Sequence, residues 1–509
     1  MNLADVLKAS VSKYPGKRAI SCGDAELTYA EFDADTTRLA QGLRRAGIRS
    51  GDRVALHMAN TIEMASCYFA CFKLGAIAVP LNLRLKAAEI EFIVGHSEPV
   101  MYIGDPGYCQ PSALPAHLRR SIRFFEVSDA TSSADVTPFS ALLVQTDDAP
   151  LPGVPGSYPA AILYTSGTTA RPKGVTHSHD SLRQCAIATN ALGFSEDDVS
   201  LNFVPLAHAS GLMVMLIPAI MLGAETALVR AFEPTEVLRT LARRRCTATF
   251  GLPAMLQALC REQSENPVDV SSLRMCGAGG DSVSVSLQRE FNEIFGVVIQ
   301  EGIGMTELVP TCCNRPDRVR QGSVGEPADG IAVRILHESG DEVAPGEIGE
   351  MVVRGAAIML GYWNNQEATS STIRDGWLYT GDLARKDEHG YIWFAGRKKE
   401  VIIRGGSNVS PQEVEEILLK HPAVFQSGVV GMPDPELGES VVAFVSLRDG
   451  AACGESELIE FSREYLSEHK VPGVVHFIDV LPLGPTGKVS RRTLKETLQA
   501  AGVQQGSPL

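Results

Sequence analysis

The stretch Tyr164-Thr-Ser-Gly-Thr-Thr-Ala-Arg-Pro-Lys-Gly174 sets five hydroxyl or glycine residues in a row, Thr165 to Thr169. The cation Arg171, the stiff Pro172 and a second cation, Lys173, follow. An apolar lead-in, Ala160-Ala-Ile-Leu163, precedes it. A short loop of this composition offers free backbone N–H groups, several hydroxyl donors and two positive charges, which together suit a polyphosphate. A Ser/Thr-rich surface turn is the alternative meaning of a Thr-Ser-Gly-Thr-Thr run alone. The Walker pattern requires glycine before its lysine and Ser/Thr after it. Here Pro172 precedes Lys173 and Gly174 follows, so this would be a different phosphate loop.

The chain around this loop has 509 residues, enough for two or more domains with large cores. Its 44% hydrophobic and 21% charged content is that of a globular protein. The net charge of −14 argues against nucleic acid as the main partner, so anionic ligands must be held by local donors. Among the 11 cysteines no CxxC pair occurs, which disfavours a zinc site or dithiol motif. The start, Met1-Asn-Leu-Ala-Asp-Val6, reads as an amphipathic helix and not a signal, so a cytoplasmic protein is expected. The longest apolar run, Gly211 to Ala224, contains Pro218, is too short to span a bilayer, and reads as a buried helix.

Residues 28 to 82 give strand, helix and strand with short links. A helix bearing Phe32, Leu39 and Leu43 stops at Gly47, and Arg53–His57 is strand-like. A second helix begins at Asn60 or Thr61 and runs to Gly75, before a strand at Ile77–Val79. This is the signature of a parallel sheet covered by helices. Around Gly107–Asp148 the periodicity is poorer, and residues 147–156 form a loop leading into the phosphate segment. Beyond it, Ser178–Leu192 reads as a helix and Val199–Val204 as a strand. The alternation continues through a helix opening at Glu233-Pro-Thr-Glu236 and a strand at Thr247–Phe250, to about residue 300. From residue 320 short β-type runs separated by Gly, Pro and Asp suggest a small barrel or meander. The last part alternates helices at Pro411–Lys420, Glu455–Glu468 and Leu494–Ala500 with strands, an α+β module of roughly a hundred residues.

Four separated motifs resemble one family, the adenylate-forming acyl-CoA synthetases with their luciferase and peptide-synthetase relatives. The opening loop resembles that family's Thr-Ser-Gly-Thr-Thr-Gly-x-Pro-Lys-Gly signature, and Gly304-Met-Thr-Glu307 its Tyr-Gly-x-Thr-Glu. Tyr379-Thr-Gly-Asp382 with Gly396-Arg-Lys-Lys399 is the third motif, and Pro485-Thr-Gly-Lys-Val-Ser-Arg491 the fourth. The resemblance implies an α/β fold: a large N-terminal domain, 1–397, of two doubly wound sheets plus a small β-barrel at 319–396. A small α+β C-terminal domain at 400–503 and a tail at 504–509 complete it. It implies an ATP-dependent carboxylate–CoA ligase that makes an acyl-adenylate and pyrophosphate, then a thioester and AMP. Its partners would be ATP, Mg²⁺, coenzyme A and a small carboxylic acid. Transfer to a carrier protein or another nucleophile is the alternative, and a non-catalytic relative a further one. Oligomeric state is not legible.

By the same resemblance, Thr165, Ser166, Gly167, Thr168, Thr169 and Lys173 would hold the β- and γ-phosphates. Thr306 would donate to the α-phosphate and Glu307 would carry Mg²⁺. Asp382 would take the ribose hydroxyls and Arg397 would contact ribose or phosphate. Gly279, Gly280, Glu301 and Gly302 would meet adenine through their backbone, with Ile303 where the family has a stacking tyrosine. Lys488 would be the catalytic cation, Lys399 the hinge, and His208 a neighbour of the acyl carboxylate. Arg230, Arg404, Gly405 and Gly406 would serve coenzyme A. Two departures from the family pattern stand out: Ala170 inside the loop and Ile303 at the base. The amino-acid-activating relatives carry an aspartate in this region to pair the substrate's amino group; none stands between Phe203 and Leu212, so the resemblance disfavours a substrate with an α-amino group.

Overall fold

The computed structural model describes residues 1–128, 133–143, 149–165, 172–405, 407–484 and 489–500. The helix and strand alternation of the first 300 residues builds two sheets. One has nine strands, with a parallel centre running through Ile299–Met305, Met275–Ala278, Ala248–Gly251, Val199–Asn202, Glu225–Leu228 and Arg18–Cys22. The other has eight, with a parallel centre through Pro159–Thr165, Ile77–Pro80, Arg53–His57, Met101–Gly104, Arg123–Glu126 and Val136–Pro138. The helix Ile62–Leu74, mostly apolar around its circumference, is buried at every residue from Met64 onward, with its buried cation Lys73 paired to Asp33 at 2.6 Å. Its start is capped by Thr61 and it stops at Gly75, whose φ of 76° suits glycine.

Each parallel sheet ends in an antiparallel hairpin. In the eight-stranded sheet Pro159–Thr165 pairs with Lys173–Ser178, and the two-residue strand Gly361–Tyr362 adds outside it. In the nine-stranded sheet Ile299–Met305 pairs antiparallel with Leu308–Cys313. These two hairpins carry the first two motifs.

Of the barrel and meander readings for 319–396, the strand pairing favours the meander. Ala332–Leu336, Ile348–Arg354 and Trp377–Lys386 run antiparallel in order, with Ile392–Arg397 against the last of them. The final part is an α+β unit with its own apolar clusters. Its five-stranded sheet is covered by the helices Pro411–Leu418, Glu455–Tyr465 and Arg491–Ala500.

Two local readings change. The weakly periodic stretch before residue 148 contributes Arg123–Glu126 and Val136–Pro138, short strands at the sheet's far edge, where a full apolar alternation is not demanded. The expected helix at Gly211–Ala224 begins as a π-type turn, Ser210–Leu216, and becomes α-helical only over Ile217–Leu222. Widened turns of this kind gather at functional sites, and this one starts two residues after His208. Among the described residues no helix is long and apolar enough to cross a membrane.

Candidate functional site

The phosphate-type loop joins the two strands of the first hairpin, with Thr165 opposite Lys173 and Tyr164 opposite Gly174. A Cβ on Gly174 would come within 2.9 Å of Ile162 and 3.1 Å of the Tyr164 ring, so only glycine passes there. Ser166, Gly167, Thr168, Thr169 and Ala170 lie outside the described residues, as do Gly406 and Lys488. The second hairpin turns at Thr306-Glu307, between Met305 and its partner Leu308. This motif is therefore a strand–turn–strand, not the start of a helix.

A cleft of ≈ 620 Å³ opens between the hairpins. Thr165, Lys173, Gly279, Gly280, Gly302, Ile303, Thr306, Glu307, Arg397 and Lys399 all line it, drawn from positions more than 200 residues apart in the chain. One flank is apolar, made of Leu192, Val214, Phe250, Val309, Pro310 and Cys313. His208 and Ser210 also line this cleft and, on their other side, a second cavity of ≈ 150 Å³. Asn60, Asn82, Pro205, Arg230 and Phe232 complete much of that second wall. The Ser210 backbone N–H donates to His208 Nδ1 at 3.3 Å, which assigns the ring proton to Nε2.

Some expected residues sit elsewhere. Glu301 does not line the cleft: its carbonyl accepts from the Asn314 backbone and from Asn314 Nδ2, both at 3.0 Å. Its side chain is buried beneath, where Val283 N–H donates to Oε1 at 3.1 Å and Gln288 Nε2 to Oε2 at 3.4 Å. Burial pushes that carboxyl up to about 8. Asp382 is 4% exposed at the cleft's margin, next to the lining residue Gly381, and is paired through Oδ1 with the lining Arg397 Nε at 3.1 Å. Arg230 reaches the second cavity and pairs with Asp105 at 3.3 Å. Arg404 lines neither cavity; its guanidinium donates to the carbonyls of Val471, at 2.9 Å, His469 and Glu468. Gly405 follows it with φ 57°.

Two residues that the sequence reading passed over join the hairpins. His177 Nε2 donates to the Thr306 carbonyl at 2.7 Å, while Nδ1 meets Ser181 Oγ at 3.0 Å. The ring is fully buried, and burial lowers its pKa to about 4, so it stays a neutral donor. Tyr362 Oη donates to Glu307 Oε1 at 2.6 Å, and Lys173 Nζ stands 4.6 Å from the centre of the Tyr362 ring. His177 could have been found by continuing the period-two face of the strand from Lys173 through Val175. Tyr362 is distant in sequence and left no such signal.

Two α/β sheets closed by loop-bearing hairpins over one polar cleft, followed by a small α+β unit, form the architecture of the adenylate-forming ligases. Residues 7–363 match the family model for AMP-binding enzymes, and 413–488 the model for the AMP-binding enzyme C-terminal domain. The chain belongs to the AMP-binding enzyme family. It is 36% identical to a feruloyl-CoA synthase of Amycolatopsis sp. over 93% of this chain and 94% of the relative. It is 33% identical to an indoleacetate–CoA ligase of Aromatoleum aromaticum over 97% and 98%. Among solved structures, an anthranilate CoA ligase in complex with anthranoyl-AMP superposes with TM-score 0.92 at 28% identity, covering 99% of this chain and 98% of that one. ATP-bound MatB from Rhodopseudomonas palustris superposes with TM-score 0.89 at 30% identity, over 98% and 100%. The chain is an ATP-dependent carboxylate–CoA ligase that works through an acyl-adenylate.

Two substitutions test the buried groups. A carboxyl raised to about 8 in the fold keeps its full stabilising proton below its unfolded pKa and loses that contribution as pH rises through 8. Glu301→Gln should therefore match wild type in thermal midpoint near pH 5. By pH 8 to 9 it should be more stable, the gap growing by at most about 1.4 kcal/mol per pH unit. His177→Leu removes the donor from a buried carbonyl and should cost about 1–3 kcal/mol in a urea titration.

Proposed function

We propose that the cleft holds ATP with its polyphosphate between the two hairpins and the acid against the apolar flank. The observation that carries this reading is the cleft itself, which gathers Lys173, Thr306, Glu307 and Arg397 beside an apolar wall. Thr165 to Lys173 hold the leaving β- and γ-phosphates, and Thr306 donates to the α-phosphate. Adenine lies along Gly279, Gly280 and Gly302 under Ile303, and Asp382 with Arg397 takes the ribose. Glu307 suits a magnesium ion: its carboxylate is 8% exposed at the cleft wall, and Tyr362 is its one hydrogen-bond partner among the described residues. When bound, that ion neutralises phosphate charge.

The first step forms a bond from the substrate carboxylate oxygen to the α-phosphorus and breaks the bond to pyrophosphate. Such an in-line displacement needs positioning and charge stabilisation more than covalent help. Lys488 supplies the cation between the two reactants, and His208 orients the carboxylate through Nε2–H. In the second step a thiol sulfur attacks the acyl carbon, the thiol loses its proton, and AMP leaves with the bonding electron pair. The second cavity supports coenzyme A as that thiol, because His208 and Ser210 form a wall common to both cavities and Arg230 stands at the outer one. Rotation at Lys399, between units 1–397 and 400–503, exchanges the two steps in a cytoplasmic enzyme.

The substrate class is an acid with an uncharged, apolar body of aromatic kind. Leu192, Val214, Phe250, Val309, Pro310 and Cys313 offer dispersion contacts and no charge to a second carboxylate. The named substrates of two relatives, feruloyl and indoleacetate, and the anthranoyl-AMP of a structural neighbour are in keeping with this.

Pyrophosphate release over a panel of aromatic, alkyl and dicarboxylic acids, with mass analysis of the thioester, tests the reading. Aromatic acids should lead, acyl-CoA should form with free coenzyme A, and a preference for dicarboxylates would sink the substrate class. Lys488→Ala should lower pyrophosphate release by about 100-fold or more, the loss of roughly 3 kcal/mol of transition-state stabilisation. Ile303→Tyr should tighten ATP binding by restoring a stacking face, worth about 1–3 kcal/mol on other nucleic-acid bases.

A further inference from the structure

Lys173 and Glu307 bear opposite charges and face one cleft, yet they form no ion pair in the described structure. Tyr362 stands between them. Its ring carries the Lys173 ammonium at 4.6 Å, within cation–π range, and its hydroxyl donates to Glu307 Oε1 at 2.6 Å. We infer that Tyr362 is a positioning residue that keeps the loop cation and the acid apart and turns both toward the nucleotide. The inference rests on the ATP and magnesium reading of the cleft given above.

The backbone fixes this tyrosine with unusual completeness. Tyr362 lies opposite Val175 in the antiparallel ladder. Trp363 N–H donates to the Gly174 carbonyl at 2.7 Å and Leu360 N–H to the Thr176 carbonyl at 2.8 Å, so the segment is stitched to the strand that begins at Lys173. Met359 N–H donates to the Glu307 carbonyl at 2.9 Å, which ties the same segment to the other hairpin. Thr369 Oγ1 accepts from Tyr362 N–H at 2.9 Å, so the residue's own amide is satisfied. Burial, with the nearby Glu307 charge, raises the phenol's pKa and keeps it a donor.

The chemistry follows from these two contacts. A direct Lys173–Glu307 pair would neutralise both groups and leave neither for a polyphosphate or its counterion. The ring satisfies the ammonium through a weak, broad attraction that a phosphate oxygen readily outbids. The hydroxyl occupies one carboxylate oxygen and fixes the plane of the other, as outer-shell donors do for metal ligands.

The test compares wild type, Tyr362→Phe and Tyr362→Leu by direct ATP binding in excess chelator and across a magnesium titration, with thermal midpoints alongside. Tyr362→Phe keeps the spacer and loses the hydroxyl. It should raise half-saturating magnesium by about tenfold or more, the usual effect of removing an outer-shell partner, while chelator-phase ATP affinity stays put. Tyr362→Leu removes the spacer as well and should weaken ATP binding even in chelator. A Tyr362→Phe protein with the wild-type magnesium requirement overturns the inference, and so does one that loses affinity equally with and without magnesium. Failure of the wild type itself to bind ATP would overturn the nucleotide reading instead.

Discussion

The 2.7 Å hydrogen bond from His177 Nε2 to the Thr306 carbonyl joins two structures that otherwise grow apart. Each large sheet is parallel at its centre, with connections that lead back through helices on its faces. Such sheets have no tight turns of their own at the strand ends. Each has an edge where the strand direction reverses, Pro159–Thr165 against Lys173–Ser178 in one and Ile299–Met305 against Leu308–Cys313 in the other. Both sheets reverse in this way, and the buried imidazole fastens one hairpin to the other. Glycines at 174 and 302 keep the strands of each hairpin close: a Cβ on Gly302 would meet the carbonyl of Cys312, on its own partner strand, at 2.9 Å.

Three carboxyls near the cleft are held in three different ways, and environment separates their roles. Glu301 is buried beneath the wall, pushed up to about 8 by desolvation, with its carbonyl already taken by Asn314. Asp382 is buried but directly paired with Arg397. Glu307 remains at the wall with a single phenolic donor. A buried carboxyl without a cation can serve as a neutral hydrogen-bonding strut, whereas one at the wall is available to a ligand's counterion. Identity alone would not have sorted them.

The sequence made legible what is local. The strand–helix–strand unit after residue 28 and the helix after Ser178 depend on neighbours in the chain, and both reappear as expected. What it missed depends on register over distance. Glu301 adjoins Gly302 and looked like part of the same wall, but alternation along the strand turns its side chain inward and Asn314 claims its carbonyl. Tyr362 meets Lys173 and Glu307 only because a two-residue strand adds to the hairpin edge, a pairing no periodicity announces. The π-type turn at Ser210–Leu216 was likewise hidden, since an apolar run reads alike in either helix.

The placement of His208 argues for how two reactions share one site. The first step joins the carboxylate oxygen to the α-phosphorus and the second brings a thiol sulfur to the acyl carbon, so the thiol needs a path that the adenylate does not fill. The widened turn beginning at Ser210 leaves His208 and Ser210 with one cavity on either side. The larger cavity has the polar wall and apolar flank suited to the nucleotide and acid, and the smaller has Arg230 at its margin. On the proposed reading, a thiol arriving through the smaller one would meet the acyl carbon without displacing the adenylate. The wall that divides the cavities is thus also the point at which the two half-reactions would meet.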